Sequence, residues 1–521
     1  MTNDLMVLDC TLRDGGYVND WNWGFNRARA IVGLLSDANV DVVEVGFLRS
    51  GDDSQNGRTV CETIEELNSF LPQSDSKKKT VYSAMAMQSN YDVSNLTPYS
   101  GSGIELIRVT FHEYDIKEGL EFAAKIKSLG YKVSVNPINV MGYGDADLLG
   151  IIRQVNEMMP WQFSIVDTFG SMKRRDLDRI ATLADNNLDK SIRLGLHLHE
   201  NMSLSSSLAQ RFADMRLDRG VTIDGSLMGM GRAPGNLPVE LICDYLNDYS
   251  GKNYDLNCLM DAIQDYIMPL HGHSEWGYNP AYFLSAHYNL HRNYAEFYLD
   301  KGTLTNRDIN NILSRIESAK KNVFDKAYAE FLYENYQSME LNDSQALADL
   351  TKIFANKEIL LLAPGMSLNS ERKRIDDFIS SRKPLVISVN FTPADFKVDY
   401  TFCNNNKRYE SVVDKKSSVI ATSNIVDGDV KYRINYNGLC GTGSQNINSL
   451  IMVLTLLKKC GLKIVHVAGA DGYANGQTNY CRPDMRAYTI HGKDYDKEMA
   501  TTLNSLNMDI KFITKSAYEV A

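Results

Sequence analysis

From residue 5 to about residue 231, short apolar runs rich in β-branched residues alternate with longer segments of helical periodicity, and this alternation restricts the fold more than any other feature of the chain. The runs Leu5–Thr11, Val42–Phe47, Val81–Met87, Leu106–Phe111, Lys132–Asn139, Phe163–Thr168, Arg193–His199 and Thr222–Met228 read as strands. Between them the spacing of apolar residues predicts helices over Arg27–Ala38, Ile116–Ser128, Ala146–Met158, Lys173–Asp185 and Ser203–Leu217. Strands joined by helical crossovers pair in parallel. Eight such units in a little over 230 residues fit a (β/α)8 barrel. A doubly wound open sheet is the alternative, but no Gly-rich dinucleotide turn accompanies the units, which favours closure.

Active sites of such barrels lie at the C-terminal ends of the strands. The unusual polar residues fall there: Arg13-Asp14, Glu44, Arg108 with His112, Asn136 with Asn139, Asp167-Thr168, His197 with His199, and Asn236. Strand side chains repeat every two residues, so His197 and His199 project to one side and Leu196 and Leu198 to the other. With Asp14 they offer two imidazoles and a carboxylate, leaving positions open for water and substrate. That set suits Mn²⁺, Mg²⁺, Co²⁺ or Zn²⁺, and ligand type does not choose among them.

Five motifs then fall in one order: Asp9-Cys-Thr-Leu-Arg-Asp-Gly15, Val43-Glu-Val-Gly46, Val166-Asp-Thr-Phe-Gly170, His197-Leu-His199, and Ile223 to Asn236 with its glycines. Together they resemble the DRE-TIM metallolyase superfamily of metal-dependent pyruvate-type aldolases and lyases, over roughly residues 1 to 300. The Gly-x-Gly-x-x-x-Gly-Asn-x-Pro ending and Gly277-Tyr278-Asn-Pro-Ala-Tyr282 are most similar to the 4-hydroxy-2-oxovalerate aldolases.

The resemblance implies a 2-oxo acid chelated by a divalent metal, Mn²⁺ or Mg²⁺ before Zn²⁺ or Co²⁺, which acts as a Lewis acid. Asp14, His197, His199 and Asn236 are the implied ligands, with an anchor that holds the loop after the eighth strand as the other reading of Asn236. Arg13 is expected to stabilise the developing oxyanion, and Glu44 to hold Arg13 by a salt bridge. Arg108 and Thr168 are expected at the substrate; for Thr168 the plainer reading is a strand-end hydrogen bond. The aldolases carry a histidine shortly after Arg-Asp-Gly, where this chain has Tyr17. A phenol with a reference pKa of about 10 is a poor base and a serviceable acid. Tyr278 and His112 are the other candidates for proton transfer.

Residues 237 to about 345 read as helices (Leu237–Leu246, Leu256–Met268 and the stretch Asn306–Tyr336), an extension expected to complete the barrel enzyme after a first domain of 1–236. Within it His271-Gly-His273-Ser-Glu275 reads as hydrogen-bonded loop histidines before it reads as a second metal site. A new αβ rhythm occupies 350–521, with strands Glu358–Leu362, Leu385–Val389, Tyr400–Cys403, Ser418–Ala421, Leu462–Ala468 and Asp509–Ile513, and predicts a Rossmann-like domain. The turn Ala363-Pro-Gly-Met-Ser-Leu368 before a helix from Ser370 to Ser381 is an anion-binding arrangement, though not a P-loop. Pro364-Gly-Met-Ser-Leu368, Ser388-Val-Asn390, Gly441-Thr-Gly-Ser444 and Val465 to Asp471 look like bacterial sialyltransferase-type nucleotide-sugar-binding folds. That likeness places Gly365, Ser367, Asn390, Gly443, Ser444 and Asp471 at a nucleotide.

A formal net charge of -10 argues against a nucleic-acid face, since phosphate binding needs clustered Lys and Arg. Eight scattered cysteines, without a C-x-x-C, read as small buried residues of a reducing compartment. No secretory signal or apolar stretch of spanning length is evident, so a cytoplasmic protein, expected to be a homo-oligomer, is the simplest reading. The sequence thus predicts an aldolase joining or parting a 2-oxo acid, pyruvate foremost, and an aldehyde, fused to a nucleotide-sugar-binding domain; the aldehyde then derives from a sugar, in a pathway serving a bacterial surface polysaccharide. The rivals are a Claisen-type acyl-CoA synthase or lyase and a non-catalytic nucleotide-sugar-binding protein with a degenerate barrel.

Overall fold

The computed structural model describes residues 4–519 apart from 53–54, 73–78, 233, 273–275, 303, 338–340, 413–417, 426–427, 429, 441–447, 474–479, 483–484 and 486–494. The chain forms two compact units, one of residues up to Arg292 with Glu317–Phe324, the other of Asn293–Ile316 with Asp325 onward. The division therefore falls inside the helical segment that the sequence reading assigned whole to the barrel.

In the first unit β1 (Leu5–Asp9), β2 (Val42–Leu48), β3 (Val60–Cys61), β4 (Val81–Met87), β5 (Leu106–Phe111), β6 (Lys132–Pro137), β7 (Gln162–Asp167), β8 (Arg193–Leu198) and β9 (Val221–Gly225) share one parallel sheet. Its order is β1-β9-β8-β7-β6-β5-β4-β2-β3, and Leu8 pairing Val42 joins β1 to β2, so eight strands close a barrel with the two-residue β3 outside it. Helices α1 (Phe25–Asp37), α2 (Ile64–Asn68), α3 (Ile116–Ser128), α4 (Asp145–Met158), α5 (Arg174–Asn187), α6 (Ser205–Asp214) and α7 (Val239–Ser250) accompany the strands. Each longer helix buries one stripe: in α1 Ala28, Ile31, Val32 and Leu35, in α5 Leu177, Ile180, Ala181 and Ala184. These meet the outward residues of the strands, such as Ile107, Val109, Val133 and Val135, in one continuous apolar layer.

The inner face is polar where a packed barrel usually carries branched aliphatics. Arg108, Glu44, Ser134, Gln162, Ser164 and Asp224 are all buried, and Gln162 donates to Ser164 Oγ at 2.9 Å. A buried polar group is costly unless paired, so this interior is built as a hydrogen-bonded network. In β2 a bulge between Glu44 and Gly46 shifts the register toward β4. A Cβ at Gly46 would come within 1.9 Å of the Thr59 carbonyl oxygen, so only glycine fits beside that strand end.

Several strands stop short of their predicted ends because the chain turns into the mouth. β1 ends at Asp9, whose carboxylate accepts from the Thr11 amide (2.9 Å) and hydroxyl (2.8 Å). β6 ends before Asn139, which is left-handed at φ 53, and β9 ends before Met228, at φ 54. The predicted helix Leu256–Met268 forms as Leu256–Ala262 followed by a π-turn at Ile263–Ile267.

The second unit holds β10 (Ile359–Leu362), β11 (Leu385–Val389), β12 (Tyr400–Cys403), β13 (Val419–Thr422), β14 (Tyr432–Ile434), β15 (Ile464–Ala468) and β16 (Asp509–Phe512), all parallel in the order β14-β13-β12-β11-β10-β15-β16. Sequence reading missed β14, a three-residue strand too short for periodicity to register. The predicted helix Asn306–Tyr336 is interrupted, forming as Asn306–Leu313 and Lys326–Gln337. The cysteines among the described residues are free, and no helix there is long and apolar enough to cross a membrane.

Candidate active site

The loop after β1 is fixed before its side chains do anything. Cys10 donates its amide to Gly225 O at 2.8 Å, and the Thr11 hydroxyl accepts from Leu227 N at 2.8 Å, tying this loop to the one after β9. Trp21 donates its indole N–H to the Arg13 carbonyl at 2.7 Å, and Thr59 its hydroxyl to the Leu12 carbonyl at 2.9 Å. The Arg13 and Asp14 side chains consequently enter the barrel mouth from a backbone with no freedom to swing.

Inside, six ionisable side chains close a ring. Arg13 donates to Asp14 Oδ1 (2.6 Å) and through Nε to Glu44 Oε2 (2.7 Å). Arg108 donates to the same Glu44 oxygen (3.1 Å) and to Asp224 Oδ2. Asp224 Oδ2 also lies 3.1 Å from His197 Nδ1, and His197 Nε2 faces Asp14 Oδ2 at 3.9 Å, which completes the circuit. All six side chains are at most 6% exposed. Burial raises the Asp14 carboxyl pKa, but Arg13, His199 and His197 outweigh it and hold that group well below the usual carboxylate range. Asp224 is likewise lowered, with burial opposed by Arg108 and His197. His199, just beyond β8, bridges to Asn236 in backbone pairing. Burial pushes its imidazole down to about 4, against the pull of Asp14, so it is neutral at pH 7 and its ring lone pair is available.

One ligand atom each from Asp14, His197 and His199 lie within 4.8 Å of one another, the one such group of His, Cys, Asp or Glu among the described residues. Asp14 Oδ2 and Asn236 Oδ1 are buried without a hydrogen-bond partner. Asn236 Nδ2 donates to the Met230 carbonyl at 3.1 Å, which fixes the amide. Leaving two such oxygens unpaired costs about 1–3 kcal/mol apiece, and a cation would satisfy both. Asp224 sets the tautomer of His197, because a carboxylate at Nδ1 keeps the proton there and leaves Nε2 as the donor atom. The residues present therefore fit a divalent metal. Asp224→Asn should weaken Mn²⁺ affinity by about 10–100-fold, measured by calorimetry, without removing any ligand.

The other expected residues separate. Glu44 sits between two guanidiniums, as its position on β2 requires. Arg108, expected at the substrate, is 1% exposed and turned to Glu44 and Asp224, so it braces the ring from within. The Thr168 hydroxyl accepts from the Asn139 amide at 2.7 Å, the strand-end bond that was its plainer reading. Tyr17 borders the site; burial and Asp14 raise its pKa, so the phenol stays protonated through neutral pH and cannot serve there as a base. His112 stacks on Tyr114 at 4.8 Å and receives no direct contact from the ring. Tyr278 is 57% exposed, and no bond joins it to the ring. His271 packs against Trp276, while His273 and Glu275 lie outside the described residues.

Sequence reasoning missed a structural partner and a buried imidazole. Asp224 was legible only as part of a motif, although an acid between Ile223 and Gly225 at a strand end is itself a signal. His291 lies beyond any periodic segment. Its ring meets Phe169, after β7, at 5.8 Å, and burial, Arg232 and His112 bring its pKa down to about 4, so it is an uncharged imidazole at the same end of the barrel.

In the second unit, Ala363-Pro364-Gly365 after β10, Asn390 after β11 and Gly469 to Tyr473 after β15 line one crevice with Arg408 and Tyr480. β10 is the strand at which the order reverses, and ligands of open α/β sheets bind outside the strand ends at such a point. The turn itself does not await an anion: the Ser367 amide donates to Asp471 Oδ2 at 2.8 Å, and the following helix, Ser367–Ser370, is a single turn. Ser367 and Asp471 thus satisfy each other. Asn390 donates to Ser449 Oγ (2.6 Å) and Asn404 Oδ1 (2.8 Å). Gly443 and Ser444 lie outside the described residues.

Comparison with known proteins places these observations. The chain is 25% identical over 284 residues to a 4-hydroxy-2-oxovalerate aldolase of Marinomonas sp., covering 52% of this chain and 79% of that protein. It is 26% identical over 275 residues to a 4-hydroxy-2-oxovalerate aldolase of Thermomicrobium roseum, covering 51% and 73%. The N-terminal domain of a putative aldolase from Bacteroides vulgatus superposes with a TM-score of 0.48 at 24% identity, over 56% of this chain and 96% of that one. The family model described as HMGL-like matches residues 4–279, ending before the second sheet begins. That match spans the barrel, the charged ring and the cluster of Asp14, His197 and His199, and the chain belongs to the HMGL-like family.

Proposed function

We propose that the barrel makes or breaks a carbon–carbon bond between a 2-oxo acid, pyruvate, and an aldehyde. The observation that carries this reading is the Asp14, His197 and His199 cluster with the Arg13 guanidinium fixed beside it. Those three residues and Asn236 would hold a divalent metal, Mn²⁺ or Mg²⁺. When bound, that metal supplies Lewis-acid polarisation of the carboxylate and ketone oxygens of the 2-oxo acid.

Everything else falls to the chain. Arg13, held by Glu44 and Asp14, presents a fixed cation where negative charge develops on the ketone oxygen, so no reorganisation is needed as the bond changes. Tyr17, protonated at neutral pH, is suited to hold a proton for the aldehyde oxygen. His291 is uncharged there but, with its pKa brought down to about 4, is a weak base at neutral pH. Arg108 and Asp224 keep Glu44 and His197 in place.

In D₂O, the protein with Mn²⁺ should exchange the methyl protons of pyruvate, EDTA should stop the exchange, and excess metal should restore it. Absence of exchange with Mn²⁺, Mg²⁺, Co²⁺ and Zn²⁺ alike would refute the reading; turnover of acyl-CoA in its place would favour the Claisen rival.

For the second unit we infer a nucleotide or nucleotide-sugar site, supported by the crevice at the point where strand order reverses. Thermal shifts of the full chain with CMP, UDP and CDP-sugars test it. Arg408→Ala should remove the stabilisation, and no shift with any nucleotide would count against the site.

A further inference from the structure

One side of the barrel mouth holds polar atoms that neither the metal nor its ring uses. The turns after β5 and β6 bring in His112, Asn139 and Tyr143, and in each a buried polar atom lacks a hydrogen-bond partner: His112 Nδ1, Asn139 Oδ1 and the Tyr143 hydroxyl. Asn139 is 4% exposed and Tyr143 8%. The Asn139 amide has no freedom to seek a partner, because its Nδ2 donates to Asn322 Oδ1 at 2.8 Å and a Cβ at Gly142 would stand only 2.7 Å from that nitrogen. Whichever way the amide is turned, one of its ends is left over. A polar atom buried in this way is costly until something bonds to it.

Two segments of the first unit come over this side. Ser171, after β7, donates its hydroxyl to Asn289 Oδ1 at 2.8 Å, and the His291 amide donates to Lys321 O at 2.8 Å. The His291 ring meets Phe169 at 5.8 Å and Phe324 at 6.5 Å. This side adjoins the ring, for His291 is within electrostatic reach of His112 and of Arg232, whose guanidinium stands 5.8 Å over the Tyr17 ring. Charge and hydrogen-bonding capacity then decide what fits. Asp115 Oδ2 stands 4.0 Å from His112 Nδ1, and Glu113 and Asp115 both act on His112 and on Tyr143. A carboxylate or phosphate brought here would meet two acids, and an alkyl chain would leave every unpaired atom as it is. A hydroxyl donates and accepts, so it satisfies an amide oxygen, a ring nitrogen or a phenol alike.

We propose that the aldehyde partner is neutral and polyhydroxylated, and that His112 and Asn139 recognise its hydroxyl groups. This rests on the aldolase reading above. In the addition, the methyl carbon of pyruvate gives up one proton and bonds the aldehyde carbon, whose oxygen takes one up; the recognised hydroxyls are untouched.

The test compares kcat/KM for pyruvate addition to methoxyacetaldehyde, glyceraldehyde, erythrose and succinic semialdehyde, using the Mn²⁺-loaded full chain. Methoxyacetaldehyde carries the activating oxygen beside its carbonyl but no hydroxyl, so it separates recognition from intrinsic reactivity. Glyceraldehyde or erythrose should exceed it by about tenfold or more. His112→Phe keeps the stack on Tyr114 and removes a nitrogen that bonds nothing in the fold, so its thermal midpoint should be no lower than the parent's while the hydroxylated-to-methoxy ratio falls about tenfold through KM. Asn139→Gly suits the left-handed backbone at φ 53 and should lower the same ratio. Hydroxylated aldehydes no better than methoxyacetaldehyde, succinic semialdehyde above them all, or a ratio unmoved in both variants would overturn the proposal, the last leaving the unpaired atoms to ordered water. Pyruvate proton exchange needs no aldehyde: its absence in the unmodified protein takes down the aldolase reading as well, while its presence without a preference for hydroxyls sinks this inference alone.

Discussion

His197→Ala should lose Mn²⁺ binding and turnover together. The substitution removes one of the three clustered side chains that could hold the ion, and among the described residues no other His, Cys, Asp or Glu joins the cluster. It leaves the ring's charges paired, because Asp224 keeps Arg108 and Glu44 keeps both guanidiniums. The variant should therefore fold, with a circular dichroism spectrum like that of the parent, while Mn²⁺ affinity measured by electron paramagnetic resonance falls by more than about 100-fold. A variant that binds Mn²⁺ as the parent does would remove His197 from the metal site.

Arg13→Ala should behave in the opposite way. Metal ligands remain, and Asp14, relieved of its guanidinium, stays a carboxylate that a dication can compensate. The charge facing the ketone oxygen is gone, so kcat should fall by roughly 10²–10³-fold while the Mn²⁺ dissociation constant changes only a few-fold. Stability should drop by about 3–5 kcal/mol without metal, since one partner of a buried network has been removed, and recover in part when metal is added. Arg13→Lys should rescue little, because an ammonium cannot bridge Asp14 and Glu44 with the geometry of a guanidinium fork. Turnover within tenfold of the parent in Arg13→Ala would refute its role.

The barrel was legible because its signal is distributed. Most barrel strands are followed by a helix that has its own apolar stripe, so small errors in strand ends at Thr11, Asn139 and Met228, and a β4–β5 connection without an α-helix, did not change the order of the strands. The ligand trio was legible for a different reason: His197 and His199 have no packing purpose in that alternation. What escaped was anything depending on which way a long side chain turns. Arg108 stands at a strand position that faces the mouth in sequence, yet its guanidinium turns toward two acids on other strands. Tyr17 was recognised as a departure, but the sign of its pKa shift depends on Asp14 and burial outweighing three arginines. In the second unit, the turn at Gly365 resembles an anion cradle, and only tertiary contact supplies the Asp471 that fills it.

The ring's members come from both ends of the barrel domain, and this has a bearing on synthesis. Arg13 and Asp14 follow the first strand, while Asp224 ends the last, and that last strand docks directly on the first. A chain still growing on the ribosome holds the early acids and arginines long before their partners exist, and long-range pairing is slow to form. The site therefore cannot bind metal tightly in any partial barrel: cation affinity becomes a report that the final strand has arrived, and metal-dependent protection from protease should appear only for nascent chains that extend past Asn236.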